Sequence, residues 1–228
     1  MKQLTLMICC HNGAPYIRRM LYDIFMQTLD PFLWEILIIF DGCTDESQLI
    51  FNNEWENLCS IQGKKNDWLK CRQLVRSKKE GLAKCKNFGL KRIDTDIVSY
   101  IDVDDGMFPQ RLEIQLNFLK NHSTVDFLFT QAWDRDKHGR LLINCFGLNQ
   151  YVTHGQIAQR LPFENVLMHG SFMGGMPQLR SLGFYNESKE VIGMEDWDLW
   201  LRALKYPYIF YKINERLSIY SLGTSVGR

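Results

Sequence analysis

The sequence IVSYIDVDD at residues 97–105 places three carboxylates directly after an apolar segment. The apolar part predicts a buried strand, and in an extended chain Asp102 and Asp104 point to the same side because side chains alternate. Neighbouring carboxylates repel one another unless a cation lies between them, and oxygen-only ligands suit Mg²⁺ or Mn²⁺. The segment therefore predicts a strand that ends at a divalent-metal site, although a solvated acidic turn before the next helix has the same pattern.

Strands and helices alternate on both sides of this segment. Apolar and amphipathic runs predict, in order, strand 4–10, helix 15–28, strand 34–40, helix 44–59, strand 70–75, helix 81–92, strand 97–101 and helix 109–120. Thr44 is the expected N-cap of the helix at 44–59. This alternation indicates an α/β fold with a mostly parallel sheet, in which ligands bind at the carboxyl ends of the strands.

The second half of the chain has a different pattern. No internal repeat or linker separates it from the first half, so the whole chain, 1–228, is predicted to be one domain. Its predicted elements are a hairpin of strands 127–133 and 141–146 with a turn at 136–139, a helix at 195–205, and two short strands at 208–211 and 217–220.

Two further strand ends carry polar side chains. His11 and Asn12 follow the first strand, and Asp41 follows the second. Gly42 allows the backbone to approach a ligand closely, and Asp41 is a candidate for a hydrogen bond to a base or ribose. Asn12 with Gly13 is equally typical of a simple turn, and His11 of a loop histidine with a local partner.

The predicted helix at 81–92 is basic. Lys84 and Lys86 lie near its N-terminus, where lysines can neutralise a diphosphate. Lys78 and Lys79, which precede the helix, are typical of a solvated charged surface.

Glu195 and Asp196 begin a predicted helix beside Trp197 and Trp200. A carboxylate next to apolar rings has a raised pKa, because loss of water disfavours its charged form. Such a group can take the proton from a hydroxyl. Helix capping is the alternative role for the two acids, and the tryptophans are expected in the core.

The composition excludes several function classes. The 228 residues are 46% hydrophobic and carry a formal net charge of +1, so no global attraction to nucleic acid or to an anionic membrane is expected. The seven cysteines include no Cys-x-x-Cys pair, and free thiols suit a reducing compartment. No apolar run approaches the roughly 20 residues of a transmembrane helix. With no signal peptide recognised, a cytoplasmic location is expected, and peripheral membrane contact stays open.

Taken together, five segments resemble a family 2 glycosyltransferase of the GT-A fold. They are residues 6–13, 34–45, 81–89, 102–105 and 195–202, and the resemblance extends from about residue 4 to residue 205. It implies one Rossmann-like, mostly parallel sheet flanked by helices, with a smaller β/α portion on the acceptor side. Residues 1–105 would then form the nucleotide-sugar-binding half, and residues 106–228 the acceptor-binding half.

The resemblance also implies residue roles. Asp196 would be the catalytic base, and Asp102 and Asp104 would bind the metal. The implied nucleotide-sugar contacts are His11, Asn12, Asp41, Lys84, Lys86, Asp102 and Val103. The implied contacts on the acceptor or donor-sugar side are Glu195, His169 and Gly174, and a packed core histidine is the alternative for His169.

The chain departs from the usual family sequence at three places. Cys9-Cys10-His11 stands where Pro-Thr-Tyr is common. The usual Asp-Asp-Gly-Ser-Thr-Asp is replaced by FDGCTD at residues 40–45, which removes one acid and introduces Cys43. Lys86 stands where arginine is common.

The implied activity is inverting, metal-dependent transfer of one sugar from a nucleotide diphosphate to an acceptor hydroxyl. Mn²⁺ or Mg²⁺ would be the cofactor, and the acceptor a glycan, a lipid-linked sugar or a protein. A nucleotidyltransferase is one alternative, although such enzymes usually carry a Gly-rich loop where this chain has HNGAPY at residues 11–16. An inactive nucleotide-sugar-binding module is the other, and would be expected to lack the acidic cluster or the Glu-Asp pair.

Overall fold

The computed structural model describes residues 2–63, 68–143 and 150–223. The strands are β1 (Leu4–Cys10), β2 (Trp34–Asp41), β3 (Lys70–Arg76), β4 (Ile97–Tyr100), β5 (Gly106–Met107), β6 (Phe127–Arg135), β7 (Leu141–Ile143), β8 (Met173–Gly175) and β9 (Phe210–Ser221). The helices are α1 (Ile17–Phe25), α2 (Ser47–Ile61), α3 (Leu82–Leu90), α4 (Arg111–Asn121), α5 (His154–Arg160), α6 (Met176–Ser181) and α7 (Glu195–Ala203), with short 3₁₀ helices at His169–Ser171 and Lys189–Val191.

The described strands form one sheet in the order β3-β2-β1-β4-β8-β6-β9-β5, with β7 paired to β6. The first four strands are parallel, as the alternation predicted. β8 pairs antiparallel with both β4 and β6. The fold is therefore the predicted α/β arrangement, a mostly parallel sheet extended by a mixed portion from the second half of the chain.

The central strands are buried on both faces, so their sequences are continuous apolar runs, and these runs predicted the strands. Every residue of β2 is buried, because helices cover both faces of a parallel sheet. One core cluster lies between the sheet and α1, α2 and α4, and includes Phe51 and Leu112. The second lies on the opposite face beneath α3 and α7, and includes Trp200, as expected for that tryptophan.

Several predicted boundaries differ from the structure. α2 begins at Ser47, because Thr44 uses its backbone N–H and hydroxyl in hydrogen bonds with Asn12 and does not cap the helix. The two strands predicted at 208–211 and 217–220 are the single strand β9. The hairpin of β6 and β7 is confirmed from Leu141 to Ile143, and the remainder of the strand predicted at 141–146 lies outside the described residues.

Among the residues that the structure describes, no helix has both the length and the apolar character needed to cross a membrane.

Candidate active site

The acidic segment forms a tight turn after β4. The backbone N–H of Asp105 donates to the carbonyl of Asp102 at 3.0 Å, which closes the turn. The carbonyl of Asp104 accepts hydrogen bonds from Arg135 Nη2 at 3.1 Å and from Ser221 Oγ at 2.6 Å. The Asp105 carboxylate accepts the Ser221 backbone N–H at 2.9 Å. The turn is thus fixed by the ends of β6 and β9, which are distant in sequence.

Carboxylates of this turn are close together. The pKa of Asp105, which is 3% exposed, lies well above its usual range because of burial and because of the neighbouring charges of Asp102 and Asp104. A β-carbon at Gly170 would lie 3.1 Å from Asp105 Oδ2 and 3.6 Å from Asp102 Oδ2, so both oxygens face the same glycine. A cation would relieve this repulsion.

The oxygen donors fit Mn²⁺ or Mg²⁺. Within the described ranges, no group of three or more histidine, cysteine, aspartate and glutamate side chains forms a complete metal-ligand set. An ion held by one or two carboxylates of the turn would therefore take its other ligands from substrate phosphates and water, which is a common arrangement for Mg²⁺ at nucleotide sites.

Arg111 lies behind the acidic turn, fully buried on α4. Its Nη2 donates to the carbonyl of Tyr100 at 2.8 Å and to Ser99 Oγ at 3.2 Å. Burial lowers the pKa of Arg111 to about 9, while the charges of Asp105 and Asp102 act in the opposite direction. The guanidinium therefore fixes the end of β4 and places a positive charge under the carboxylates.

Asp196 stands in the first turn of α7. Its Oδ2 accepts a hydrogen bond of 2.9 Å from Asn165 Nδ2. Burial raises the pKa of Asp196, whereas the charge of Lys86 and the Asn165 hydrogen bond lower it, and Asp102 raises it further. The carboxylate thus lies within electrostatic range of both the basic helix and the acidic turn.

Lys86 points into the protein from α3 and is 4% exposed. Its Nζ lies 3.3 Å from His169 Nδ1 and 5.3 Å from the centre of the Tyr185 ring. Among the described residues no carboxylate forms an ion pair with this ammonium. A buried cation within electrostatic range of Asp196 is suited to receive the negative charge of a ligand.

His169 is packed between aromatic rings, which was the alternative expectation for this residue. It stacks on Tyr100 with ring centres 4.5 Å apart, and its Nε2 lies 2.7 Å from the Tyr185 hydroxyl. Burial, together with the charges of Lys86 and Arg111, holds the pKa of His169 well below its usual range, so the ring is neutral. It lines the base of the site while remaining part of the core.

Asp41 is buried at the end of β2 and pairs with Arg76, the last residue of β3. Asp41 Oδ1 lies 2.9 Å from Arg76 Nη1, and the side chains are 5% and 10% exposed. Burial raises the pKa of Asp41 and Arg76 lowers it. The His11 ring contacts the same residue, since Nδ1 lies 2.8 Å from the Asp41 carbonyl oxygen.

Asn12 has the positive φ of 51° that a tight turn after β1 requires. Its Oδ1 accepts the Thr44 backbone N–H at 2.8 Å, so the β1 and β2 ends are joined. Val103 packs beneath this turn, because a β-carbon at Gly13 would lie 3.0 Å from it.

The remaining predicted site residues, Lys84, Glu195 and Gly174, occupy three different environments. Lys84 is on the outer face of α3, 44% exposed and 3.9 Å from Glu80, so α3 directs Lys86 and Lys84 to opposite sides. Glu195 is buried beside Asp196. Gly174 is inside β8, where a β-carbon would lie 2.7 Å from the Asp126 carbonyl and from the Phe172 ring. Packing between strands therefore accounts for a glycine at this position.

Three polar residues of the site were not singled out from the sequence. Arg76 could have been found, because parallel pairing places Asp41 opposite Arg76 at adjoining strand ends. Arg111 and Asn165 had no local signal, since each acts on residues that only the folded chain brings near.

Comparison with known proteins agrees with this fold. The sequence profile described as glycosyl transferase family 2 matches residues 5–178. The amylovoran biosynthesis glycosyltransferase AmsE of Erwinia amylovora is 27% identical over 188 residues, which are 82% of this chain and 64% of that protein. An uncharacterized glycosyltransferase of Haemophilus influenzae is 23% identical over 224 residues, which are 94% of this chain and 67% of that protein.

Two solved structures have the same fold. S. aureus TarS 1-349, crystallised with UDP-GlcNAc, aligns with a TM-score of 0.74 at 15% identity over 98% of this chain and 59% of that chain. The mannosyltransferase PcManGT of Pyrobaculum calidifontis, in complex with GDP-Man and Mn²⁺, aligns with a TM-score of 0.74 at 15% identity over 98% of this chain and 58% of that chain. This chain therefore spans about three fifths of the length of AmsE and of the chains in both solved structures. Because the profile match covers most of the sequence, from the first strand to α6, the chain belongs to glycosyl transferase family 2.

Proposed function

We propose that the protein transfers one sugar, with inversion, from a nucleotide diphosphate sugar to an acceptor hydroxyl. The observation that carries the proposal is the placement of the Asp102–Asp105 turn, the buried Lys86 ammonium and Asp196 within electrostatic range of one another. Such a site offers anionic ligands for a metal, a cation for phosphate and a carboxylate of raised pKa.

Asp196 is the general base in this proposal. Its carboxylate takes the proton of the acceptor hydroxyl as that oxygen attacks the anomeric carbon from the side opposite the diphosphate. Asn165 holds the carboxylate through one oxygen, at 2.9 Å. No covalent intermediate on the protein is required, because attack and departure occur on opposite faces of the sugar.

The leaving diphosphate is received on the other side of the site. Lys86 supplies a positive charge that is already desolvated, so its attraction to phosphate is stronger than that of an exposed lysine. Asp102 and Asp104 would hold Mn²⁺ or Mg²⁺, which offsets the negative charge on the departing diphosphate. The solved structure of the mannosyltransferase PcManGT, which has the same fold and is in complex with GDP-Man and Mn²⁺, supports this choice of ion.

In this proposal the nucleoside binds at the carboxyl ends of β1 and β2. The buried Asp41 and the partly exposed His11 and Asn12 lie at the carboxyl edge of the parallel sheet, where such sheets bind nucleotides. Residues 106–228 would bind the acceptor, which we propose to be a glycan, a lipid-linked sugar or a protein. A cytoplasmic location with peripheral membrane contact belongs to the same proposal.

The decisive experiment measures binding and nucleotide release for a panel that includes UDP-GlcNAc, UDP-glucose, UDP-galactose and GDP-mannose, with and without Mn²⁺. Intact protein is compared with Asp104→Ala and with Asp136→Ala, a control in the exposed turn after β6. Metal-dependent release of a nucleoside diphosphate, lost only in Asp104→Ala, supports the transferase. Conversion of the nucleotide sugar and added pyrophosphate to a nucleoside triphosphate and a sugar 1-phosphate instead identifies a nucleotidyltransferase. Binding without turnover identifies an inactive module, and no binding to any donor contradicts the site itself.

A further inference from the structure

Asn87 follows Lys86 on α3, and its side-chain amide pairs with the backbone of a distant residue. Asn87 Nδ2 donates to the Tyr185 carbonyl oxygen at 2.9 Å, and Asn87 Oδ1 accepts the Tyr185 backbone N–H at 3.0 Å. Nδ2 also donates to Glu187 Oε1 at 2.8 Å. Asn87 is 4% exposed, so this one buried side chain satisfies both backbone groups of Tyr185 and ties its loop to α3.

The loop before Tyr185 turns sharply. Phe184 has a φ of 64°, a left-handed conformation that is uncommon for a residue with a side chain, and Gly183 has a φ of 71°. Arg202 of α7 donates from Nη2 to the Phe184 carbonyl oxygen at 2.6 Å. The turn is therefore held from two sides, by Asn87 of α3 and by Arg202 of α7.

The Tyr185 side chain reaches the ring of His169 beside Lys86. The Tyr185 hydroxyl lies 2.7 Å from His169 Nε2, and both residues are buried. On the same ring, Lys86 Nζ lies 3.3 Å from Nδ1 and 3.4 Å from Nε2. A hydroxyl can donate or accept a hydrogen bond, whereas an ammonium can only donate. The imidazole therefore lies between a partner that can take either role and a partner that requires a lone pair.

These contacts favour one tautomer of His169. The ring is neutral, because a second positive charge beside the buried Lys86 ammonium would be neither paired nor solvated. A proton on Nδ1 would leave that N–H without an acceptor among the described residues, and the single Nε2 lone pair would have to serve both Tyr185 and Lys86. A proton on Nε2 gives each ring nitrogen its own partner, since Nε2–H donates to the Tyr185 hydroxyl and Nδ1 accepts from Lys86.

We propose that Asn87 and Tyr185 are positioning residues for Lys86. Asn87 fixes Tyr185, and Tyr185 holds His169 in the Nε2–H tautomer. The Nδ1 lone pair then accepts a hydrogen bond that keeps the Lys86 ammonium at the base of the site. A lysine side chain has many rotamers, so a fixed acceptor lowers the cost of ordering it around a diphosphate. The tautomer follows from the contacts alone, whereas the effect on donor binding rests on the proposed function.

The first test measures the tautomer by ¹⁵N NMR of the full chain at pH 7, because protonated and unprotonated ring nitrogens have widely separated chemical shifts. In the unaltered protein we expect His169 Nε2 to carry the proton and Nδ1 to be unprotonated. Tyr185→Phe keeps the ring but removes the acceptor of Nε2–H. It should give a mixture of tautomers, since Lys86 lies almost equally far from both nitrogens.

Asn87→Ala should also give a mixture, because it releases the backbone of Tyr185 from α3. Tyr208→Phe removes a hydroxyl that contacts Ser181, and as the control it should leave the nitrogen shifts of His169 unchanged. A proton on Nδ1 in the unaltered protein, or an unchanged tautomer in either Tyr185→Phe or Asn87→Ala, overturns the proposal.

The second test measures donor binding. Loss of the Tyr185 hydroxyl should raise the donor KM about 3- to 10-fold in Tyr185→Phe, with kcat nearly unchanged. A double variant separates positioning from a general structural effect. If Tyr185 acts through Lys86, Lys86→Met/Tyr185→Phe should have the same KM as Lys86→Met alone. Multiplied KM effects in the double variant would show that Tyr185 acts by another route.

The two tests distinguish this proposal from the proposed function. If the unaltered chain binds no nucleotide sugar, the proposed function fails, whereas the nitrogen shifts still decide whether Asn87 and Tyr185 hold His169 in one tautomer. If the donor binds and the KM effects multiply, the proposed function stands and the positioning of Lys86 by Tyr185 is overturned.

Discussion

Asn165 donates a hydrogen bond of 2.9 Å to Asp196, although the two residues are 31 positions apart in the chain. This contact fixes the carboxylate that begins α7 and opposes the rise in its pKa that burial causes. It gives the proposed general base both an orientation and a defined proton affinity, and two experiments can separate these effects.

The first experiment removes the base. Asp196→Asn keeps the size and hydrogen-bonding capacity of the side chain but cannot accept a proton. We expect a fall in kcat of about 10²- to 10⁴-fold, the usual contribution of a general base, with little change in donor affinity. Turnover is measured with the donor identified by the panel and binding by calorimetry. Unchanged kcat would assign the proton transfer to another group.

The second experiment changes the proton affinity of the base. A base acts when deprotonated, so kcat/KM should fall as the pH drops below the raised pKa of Asp196. Asn165→Ala removes a hydrogen bond that lowers this pKa, so the acidic limb of the pH profile should move to higher pH. Asp198→Asn, which breaks a 2.8 Å pair with Arg202 on the same helix, is the control and should leave the limb in place. Identical profiles for the intact protein and Asn165→Ala would contradict the assignment.

The two lysines of α3 allow a third prediction. Lys86→Met should raise the donor KM about 10- to 100-fold, because charge-assisted hydrogen bonds to phosphate are lost. The same change should raise the pKa of His169, since the charge of Lys86 is one of the causes that lower it. Lys84→Met, on the exposed side of the helix, is the matched control. NMR titration of His169 gives a readout that does not depend on turnover, and equal effects of the two substitutions would show that Lys86 has no special position.

Much of the fold could be predicted because the central strands are buried on both faces. β1 and β2 are nearly continuous apolar runs that end in polar residues, so their type and their carboxyl ends were both visible in the sequence. Asp41 is the last residue of β2, and Asp102 follows β4 after Ile101. The candidate site was therefore located by a general property of parallel sheets rather than by any single residue.

The second half was less predictable, because its elements depend on distant partners. β9 was predicted as two strands since its central residues, Asn214 and Glu215, are exposed and interrupt the apolar pattern. The pairing with β6 is also irregular, with register shifts on both sides of Gln131. The position of such a bulge depends on tertiary packing, and no local sequence pattern predicts it.

Gly170 provides a fourth prediction, about the acidic turn. In Gly170→Ala the added methyl would lie 3.1 Å from Asp105 Oδ2 and 3.6 Å from Asp102 Oδ2, so at least one carboxylate has to shift. We expect Mn²⁺ affinity to fall about 10- to 100-fold, the range found when groups that orient metal ligands are changed. Gly155→Ala is the control: nothing lies within 4 Å of the added methyl, and the helix should gain about 0.5–1 kcal/mol. Unchanged Mn²⁺ affinity in Gly170→Ala would place the ion elsewhere.

The ion pair between Asp41 and Arg76 provides the last prediction. Both side chains are at most 10% exposed, so Arg76→Met leaves a carboxylate without its partner in a site that water hardly reaches. Breaking a buried pair from one side costs about 3–5 kcal/mol, because the remaining charge is neither solvated nor paired. We expect a lower free energy of unfolding by about 3 kcal/mol in urea at pH 7, and a further rise in the pKa of Asp41, since Arg76 is the largest cause that lowers it.

The double variant Arg76→Met/Asp41→Asn tests the cause of this loss. Removing the charge of Asp41 as well should restore more than half of the lost stability, because an amide is much less costly to bury than a carboxylate. Arg18→Met breaks a 3.3 Å pair with Glu54 in which the arginine side chain is 73% exposed, and should change stability by no more than about 0.5 kcal/mol. If the double variant is as unstable as Arg76→Met, the arginine contributes through packing of its alkyl chain and its ring contact with Phe88, 5.4 Å from the ring centre, rather than by neutralising Asp41.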